Sequence, residues 1–211
     1  LIEIMVYNNF FSRLILSIIF TLIYILVCIY NFSYILYFII LIYSIIFIEI
    51  ILYFKKKRYL IFAYLLVSLL SIYFIEFSYE KIFHFNLMII TIITFDIFSY
   101  LIGTMFGRLK FTNISPNKTV EGLSGGTFFA LLFSFIFCFF FDISISFNSI
   151  FIIILIIISS FIGDLIESKF KRINNLKNSS QMLPGHGGFF DRFDSFIFSI
   201  IPYSLFNNYL L

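Results

Sequence analysis

Residues 147–172 read FNSIFIIILIIISSFIGDLIESKFKR. The first two thirds form an apolar run too long for an ordinary core strand, and the remainder carries charge on one side. Asp164, Glu167, Ser168, Lys171 and Arg172 fall at i, i+3, i+4, i+7 and i+8, the spacing of a single helical face. A helix satisfies its own backbone in hydrocarbon, where an open sheet edge does not. The stretch therefore predicts a membrane helix with a polar seam at the end where it emerges. The seam has two readings. Lys171 and Arg172 can meet anionic headgroups while Asp164 and Glu167 pair with them. Alternatively it is a site, because ionisable groups in or beside a membrane helix are expensive unless something compensates them.

The rest of the chain repeats the apolar half of this pattern. Its 211 residues are 62% apolar, with Phe 34 and Tyr 14, and only 12% are charged, against about 25% in soluble domains. Seven helices are predicted, over Leu14–Tyr30, Tyr34–Phe54, Tyr59–Ile75, Phe85–Phe106, Leu123–Phe141, Phe147–Ile166 and Phe193–Leu211. The fold class is all-α, a polytopic membrane bundle of about seven transmembrane helices. The short link Asn31–Ser33 makes the first two an antiparallel hairpin.

With the N-terminus in the cytoplasm, Arg13, Lys55, Lys56, Lys57, Arg58, Arg108, Lys110, Lys118, Lys169, Lys171, Arg172, Lys177 and Arg192 share one face, and of the 14 basic residues only Lys81 falls on the other. This positive-inside asymmetry puts both long polar loops on the cytoplasmic side, where they form the site. One integral membrane domain over 1–211 is expected, with lipid-embedded front helices in 1–84 and the chemistry in 85–211. Cys28 and Cys138 sit in apolar runs as packing residues. No cleavable signal peptide is expected, because the first apolar run lacks a small-residue cleavage site.

Two loops carry the remaining chemistry. The stretch LPGHGGFFDRFD, 183–194, offers backbone freedom and exposed N–H groups where a phosphate can approach, followed by Asp191 and Asp194 at helical spacing. Asp164 and Asp191, each beside cations, suit Mg²⁺, which takes one or two carboxylates together with phosphate oxygens. His186 reads as a phosphate or leaving-group contact or as a structural loop histidine; one such histidine argues against zinc. The stretch SPNKTVEG, 115–122, places hydroxyls, an amide and a cation before a helix start, where anions bind. It is not a P-loop, and Gly125 and Gly126 serve close helix packing. Asp96 lies inside an apolar run and is expected to face the bundle interior. Glu49 is read as snorkelling toward Lys55.

Together SPNKTVEG, GDLIESKFKR and LPGHGGFFDRFD resemble the phosphatidate cytidylyltransferases, the CDP-diacylglycerol synthases, over roughly Asp96 to Phe198. Ser168, Lys171, Arg172, Lys177, His186, Gly187, Gly188, Asp191, Arg192 and Asp194 sit on that family's C-terminal signature. One departure is Asn178, where the family usually has Asp.

The resemblance implies transfer of a cytidylyl group from CTP to phosphatidate, giving CDP-diacylglycerol and pyrophosphate for phospholipid biosynthesis. It implies Asp164 and Asp191 as Mg²⁺ ligands, with room for a second, monovalent cation, and Asp194 and Glu167 next in line. Lys171, Arg172, Lys177 and Arg192 would neutralise phosphates, with His186 among the catalytic group. Ser115, Asn117, Lys118 and Glu121 would hold CTP, while Ser168 and Asp96 complete the substrate cavity. The expected partners are CTP, phosphatidate and membrane lipids, with a homodimer as the assembly and no nucleic acid. The expected location is a bacterial cytoplasmic membrane, with the site facing the cytoplasm. Competing readings are a CTP-dependent lipid kinase, a transporter with carboxylate relays, and an inactive scaffold.

Overall fold

The computed structural model describes residues 18–78, 81–112, 115, 118–183 and 187–207. Asn117 and His186 of the expected site, and Arg13 of the basic set, lie outside these residues. Among the described residues the chain is all helical: α1 (Ile18–Tyr30), α2 (Ile35–Tyr53), α3 (Arg58–Ile72), α4 (Ile82–Phe106), α5 (Val120–Phe140), α6 (Phe147–Ile173) and α7 (Phe190–Phe206). Four of them, α2 with its leading turn, α4, α5 and α6, are long and apolar enough to cross a membrane; α1 and α3 are shorter apolar helices.

Most boundary shifts from the sequence expectation have local causes. The α1–α2 hairpin closes through a 3₁₀ turn, Phe32–Tyr34, in which Asn31 Oδ1 accepts the Ser33 amide at 2.9 Å. Helix α5 starts three residues earlier than expected, because Thr119 caps it by accepting the Gly122 amide at 3.1 Å. Helix α6 opens on a reciprocal Ser146–Ser149 capping box. It runs past the expected Ile166 to Ile173, with Lys171 and Arg172 in its last turn, where the helix dipole favours cations. Helix α7 also begins three residues early, at Phe190.

Helix α4 packs along α5, and α6 along α7, with α3 against the other side of α7. Small residues allow the first two pairings. A Cβ at Gly126 would lie 2.7 Å from Ser99 Cβ, and one at Gly125 would overlap Ile102, so the expected packing role of these glycines holds. A Cβ at Gly163 of α6 would lie 2.5 Å from the Asp194 carbonyl of α7. The two backbones therefore touch one residue before Asp164 and level with Asp194. Gly163→Ala is expected to spread α6 from α7 and destabilise the bundle by about 1–3 kcal/mol. Thermal unfolding in detergent checks this, and an unchanged midpoint would contradict the contact.

Candidate active site

The helix ends carrying Lys55–Arg58, Arg108, Lys118, Lys171 and Arg192 gather at one end of the bundle. The link is direct at Asn174, whose Oδ1 accepts the Lys55 and Lys56 amides at 2.9 and 2.7 Å. At this end the polar face of α6 meets three other elements.

The first is the loop before α5. It folds back on itself, with the Phe111 amide donating to the Lys118 carbonyl at 2.8 Å and the Lys118 amide to the Ser115 carbonyl at 3.1 Å. That turn aims Lys118 across α6: its Nζ lies 2.5 Å from Asp164 Oδ2 and 4.5 Å above the Phe161 ring. Glu121 is engaged differently, both carboxylate oxygens accepting the Leu109 amide at 3.2 Å. It therefore shapes the loop that carries Lys118. Ser168, buried, has its hydroxyl 3.5 Å from Asp164 Oδ1.

The second is the start of α7. Lys171 Nζ stands 2.7 Å from Glu167 Oε2 and 2.7 Å from Asp191 Oδ1. The other Asp191 oxygen accepts the Ser179 and Gly188 amides at 2.8 and 3.0 Å. Asp191, expected beside Asp164 in a metal set, is thus taken up by a lysine and two amides. Arg172 and Lys177 are exposed, and Arg172 Nη1 donates to the Leu176 carbonyl at 3.2 Å.

A different trio has the oxygen atoms one cation would need. One carboxylate oxygen from each of Asp164, Glu167 and Asp194 lies within 4.8 Å of the others. Glu167 is 1% exposed, and its Oε1 accepts no hydrogen bond. An orphaned buried carboxylate oxygen is costly, and an all-oxygen donor set fits a hard divalent cation such as Mg²⁺.

The third is α4. Asp96 Oδ1 accepts from Ser160 Oγ of α6 at 3.1 Å and Ser195 Oγ of α7 at 3.3 Å. It lines a cavity of about 480 Å³ open to the surface, whose polar wall is Thr21, Asp96, Arg192 and Ser195. The remaining wall is Phe, Ile and Leu183, and an apolar slot of about 350 Å³ adjoins it, sharing Phe20, Thr21, Ile89, Ile93, Phe193 and Phe196. Asp96 therefore faces the bundle interior, as expected. Five carboxyl groups, Asp96, Asp164, Glu167, Asp191 and Asp194, gather near Lys118 and Lys171, more than two lysines can pair, and a bound cation would favour their ionised form.

Glu49 corrects the sequence reading. It does not snorkel toward Lys55: it is 0% exposed, and its Oε2 accepts the Phe189 and Phe190 amides at 2.8 and 3.2 Å. Its partners are backbone groups some 140 residues away, so no side-chain spacing announces them. Asn178 is exposed beside Gly187, and the carboxylate group is assembled without it. Asn178→Asp is expected to change turnover by no more than about threefold, the scale of an exposed charge; a larger gain would mean the family's usual Asp belongs to the site.

A family model described as "Cytidylyltransferase family" matches residues 9–210. The chain is similar to the "Phosphatidate cytidylyltransferase" of Staphylococcus aureus (strain COL), at 41% identity over 110 residues, 51% of this chain and 42% of the relative. It is similar to the protein of the same name from Bacillus subtilis (strain 168), at 38% over 110 residues, covering 51% and 40%. A third, of the same name from Synechocystis sp., is 37% identical over 119 residues, covering 53% and 41%. The match thus spans about two fifths of each of these curated relatives.

Proposed function

We propose that this chain, which belongs to the cytidylyltransferase family, transfers a cytidylyl group from CTP to phosphatidate and releases pyrophosphate. The observation that carries the reading is the carboxylate and lysine group set against a cavity that is polar at one wall and apolar beyond. A nucleotide and a lipid phosphate have to meet at such a boundary.

In the reaction a lipid phosphate oxygen attacks the α-phosphorus of CTP. One P–O bond forms, the bond from the α-phosphorus to the bridging oxygen breaks, and pyrophosphate leaves with that electron pair. The attacking oxygen is already ionised at neutral pH, so positioning and charge screening carry the rate. Asp164, Glu167 and Asp194 would hold Mg²⁺, which when bound screens the triphosphate and the departing pyrophosphate. Lys118 and Lys171 stand on either side of that group and would neutralise phosphate oxygens. Arg192 at the cavity wall would meet the lipid phosphate, with an acyl chain in the adjoining slot. Asp191 holds Lys171 and the glycine loop in register. Ser115, with Asn117 and His186, would line the nucleotide side, and Arg172 and Lys177 would draw polyanions to the mouth. The bundle end bearing the basic residues would face the cytoplasm of a bacterial cell, where CTP is available.

The position of the label in CTP tests the reaction type. Phosphorus label at the α position is expected to enter the lipid, while label at the γ position is expected to leave in pyrophosphate. Entry of the γ label would replace this reading with phosphoryl transfer to a lipid.

A further inference from the structure

Helix α7 brings Asp191 and Asp194 to the site, yet it has no side-chain cap of its own: Phe189 occupies the N-cap position. Three consecutive amides at its start are bound by buried carboxylates instead. The Gly188 amide goes to Asp191, and the Phe189 and Phe190 amides go to Glu49. Glu49 comes from the last turns of α2, and its other oxygen, Oε1, is buried without a hydrogen bond. The fit is close, since a Cβ at Gly188 would overlap both Glu49 Oε1 and Ser179 Oγ. Phe54, the residue that ends α2, meets Phe190 edge-on at 5.9 Å.

Glu49 thus holds the amides of Phe189 and Phe190 while Asp191 holds those of Ser179 and Gly188. The Ser179 and Gly188 amides that saturate Asp191 belong to that loop. The rotamer of Asp191, and the placement of Lys171 bound to it, therefore depend on where Glu49 holds the chain. A carboxylate suits the task, because a helix N-terminus carries partial positive charge and a charged acceptor makes the stronger hydrogen bond.

We propose that Glu49 is a positioning residue for the transfer reaction, fixing the glycine loop and the start of α7 so that Asp191 and Lys171 stand in reacting register. This rests on the cytidylyl-transfer reading. It gives α2, in the otherwise lipid-like front of the chain, a direct part in the site.

The test compares the wild type with Glu49→Gln and Glu49→Ala in detergent, measuring kcat, KM for phosphatidate, and amide exchange in 183–193 and 35–48. Glutamine keeps an oxygen for the two amides, so kcat is expected to fall no more than about fivefold. Alanine is expected to lower kcat about a hundredfold, the cost of a small misplacement of reacting groups, with KM for phosphatidate little changed. Exchange should speed up in 183–193 and stay as in wild type over 35–48. Unchanged kcat and loop exchange in Glu49→Ala would overturn the proposal. So would loss of protection over 35–48 as well, which marks a merely structural cap, or glutamine as damaging as alanine. A wild type that makes no cytidine-bearing lipid defeats the transfer reading instead, while the exchange comparison still decides whether Glu49 holds the loop.

Discussion

Lys171→Met is expected to abolish turnover and to destabilise the protein by about 3–5 kcal/mol, the cost of removing one partner from a buried ion pair. The lysine is 14% exposed and lies 2.7 Å from both Glu167 and Asp191, whose side chains are 1% and 9% exposed. Methionine fills the same space but leaves those carboxylates facing each other with no cation between them. Glu167→Gln on the Lys171→Met background should recover much of the stability, because it removes one of the stranded charges, and none of the activity. Thermal unfolding and turnover, measured on the same detergent samples, separate the two effects. A Lys171→Met protein that unfolds at the wild-type temperature would mean these groups are not charged together in the folded state.

Asp164→Asn is expected to give the opposite balance. Its side chain is 37% exposed, so the fold should tolerate an isosteric amide. The reaction should not: the change removes the most accessible carboxylate of the proposed metal group and the ionic partner of Lys118. A loss of at least about a thousandfold in kcat is expected, since metal screening of phosphate charge is worth several kcal/mol, together with a higher magnesium requirement in whatever activity remains. Retention of activity within about tenfold of wild type, with the same magnesium dependence, would exclude Asp164 from the metal group.

Much of this arrangement is legible in the chain before any coordinates. The i, i+3, i+4, i+7 spacing from Asp164 to Lys171 places those side chains on one face, and α6 presents them so. Among the described residues the seven apolar runs appear as seven helices, and four of them are long and apolar enough to cross a membrane, where a helix satisfies its own backbone. Asp96 had to face inward because a carboxylate facing lipid is too costly, and it lines the cavity.

What spacing leaves open is which carboxylate does what. Asp164 and Asp191 are equivalent in sequence, each an acid near cations. Only the folded loop shows that Asp191 is saturated by Lys171 and two amides. Glu167 gives no sign in sequence that one of its oxygens is left bare. Glu49 gives the least sign in sequence, because a carboxylate that caps a distant helix through backbone amides leaves no pattern in side-chain identities. The start of α7 shifts for the same reason: its cap comes from α2, far from its own sequence.

The most direct test of cytidylyl transfer counts both products at once. The protein would be placed in vesicles containing phosphatidate and supplied with CTP and magnesium, and pyrophosphate and cytidine-bearing lipid would be measured in the same samples, with Asp164→Asn alongside. Equal amounts of the two products are predicted, dependent on the metal and lost together in the variant. Release of CDP with a phosphorylated lipid that lacks cytidine, or product formation indifferent to metal and to Asp164, would contradict it.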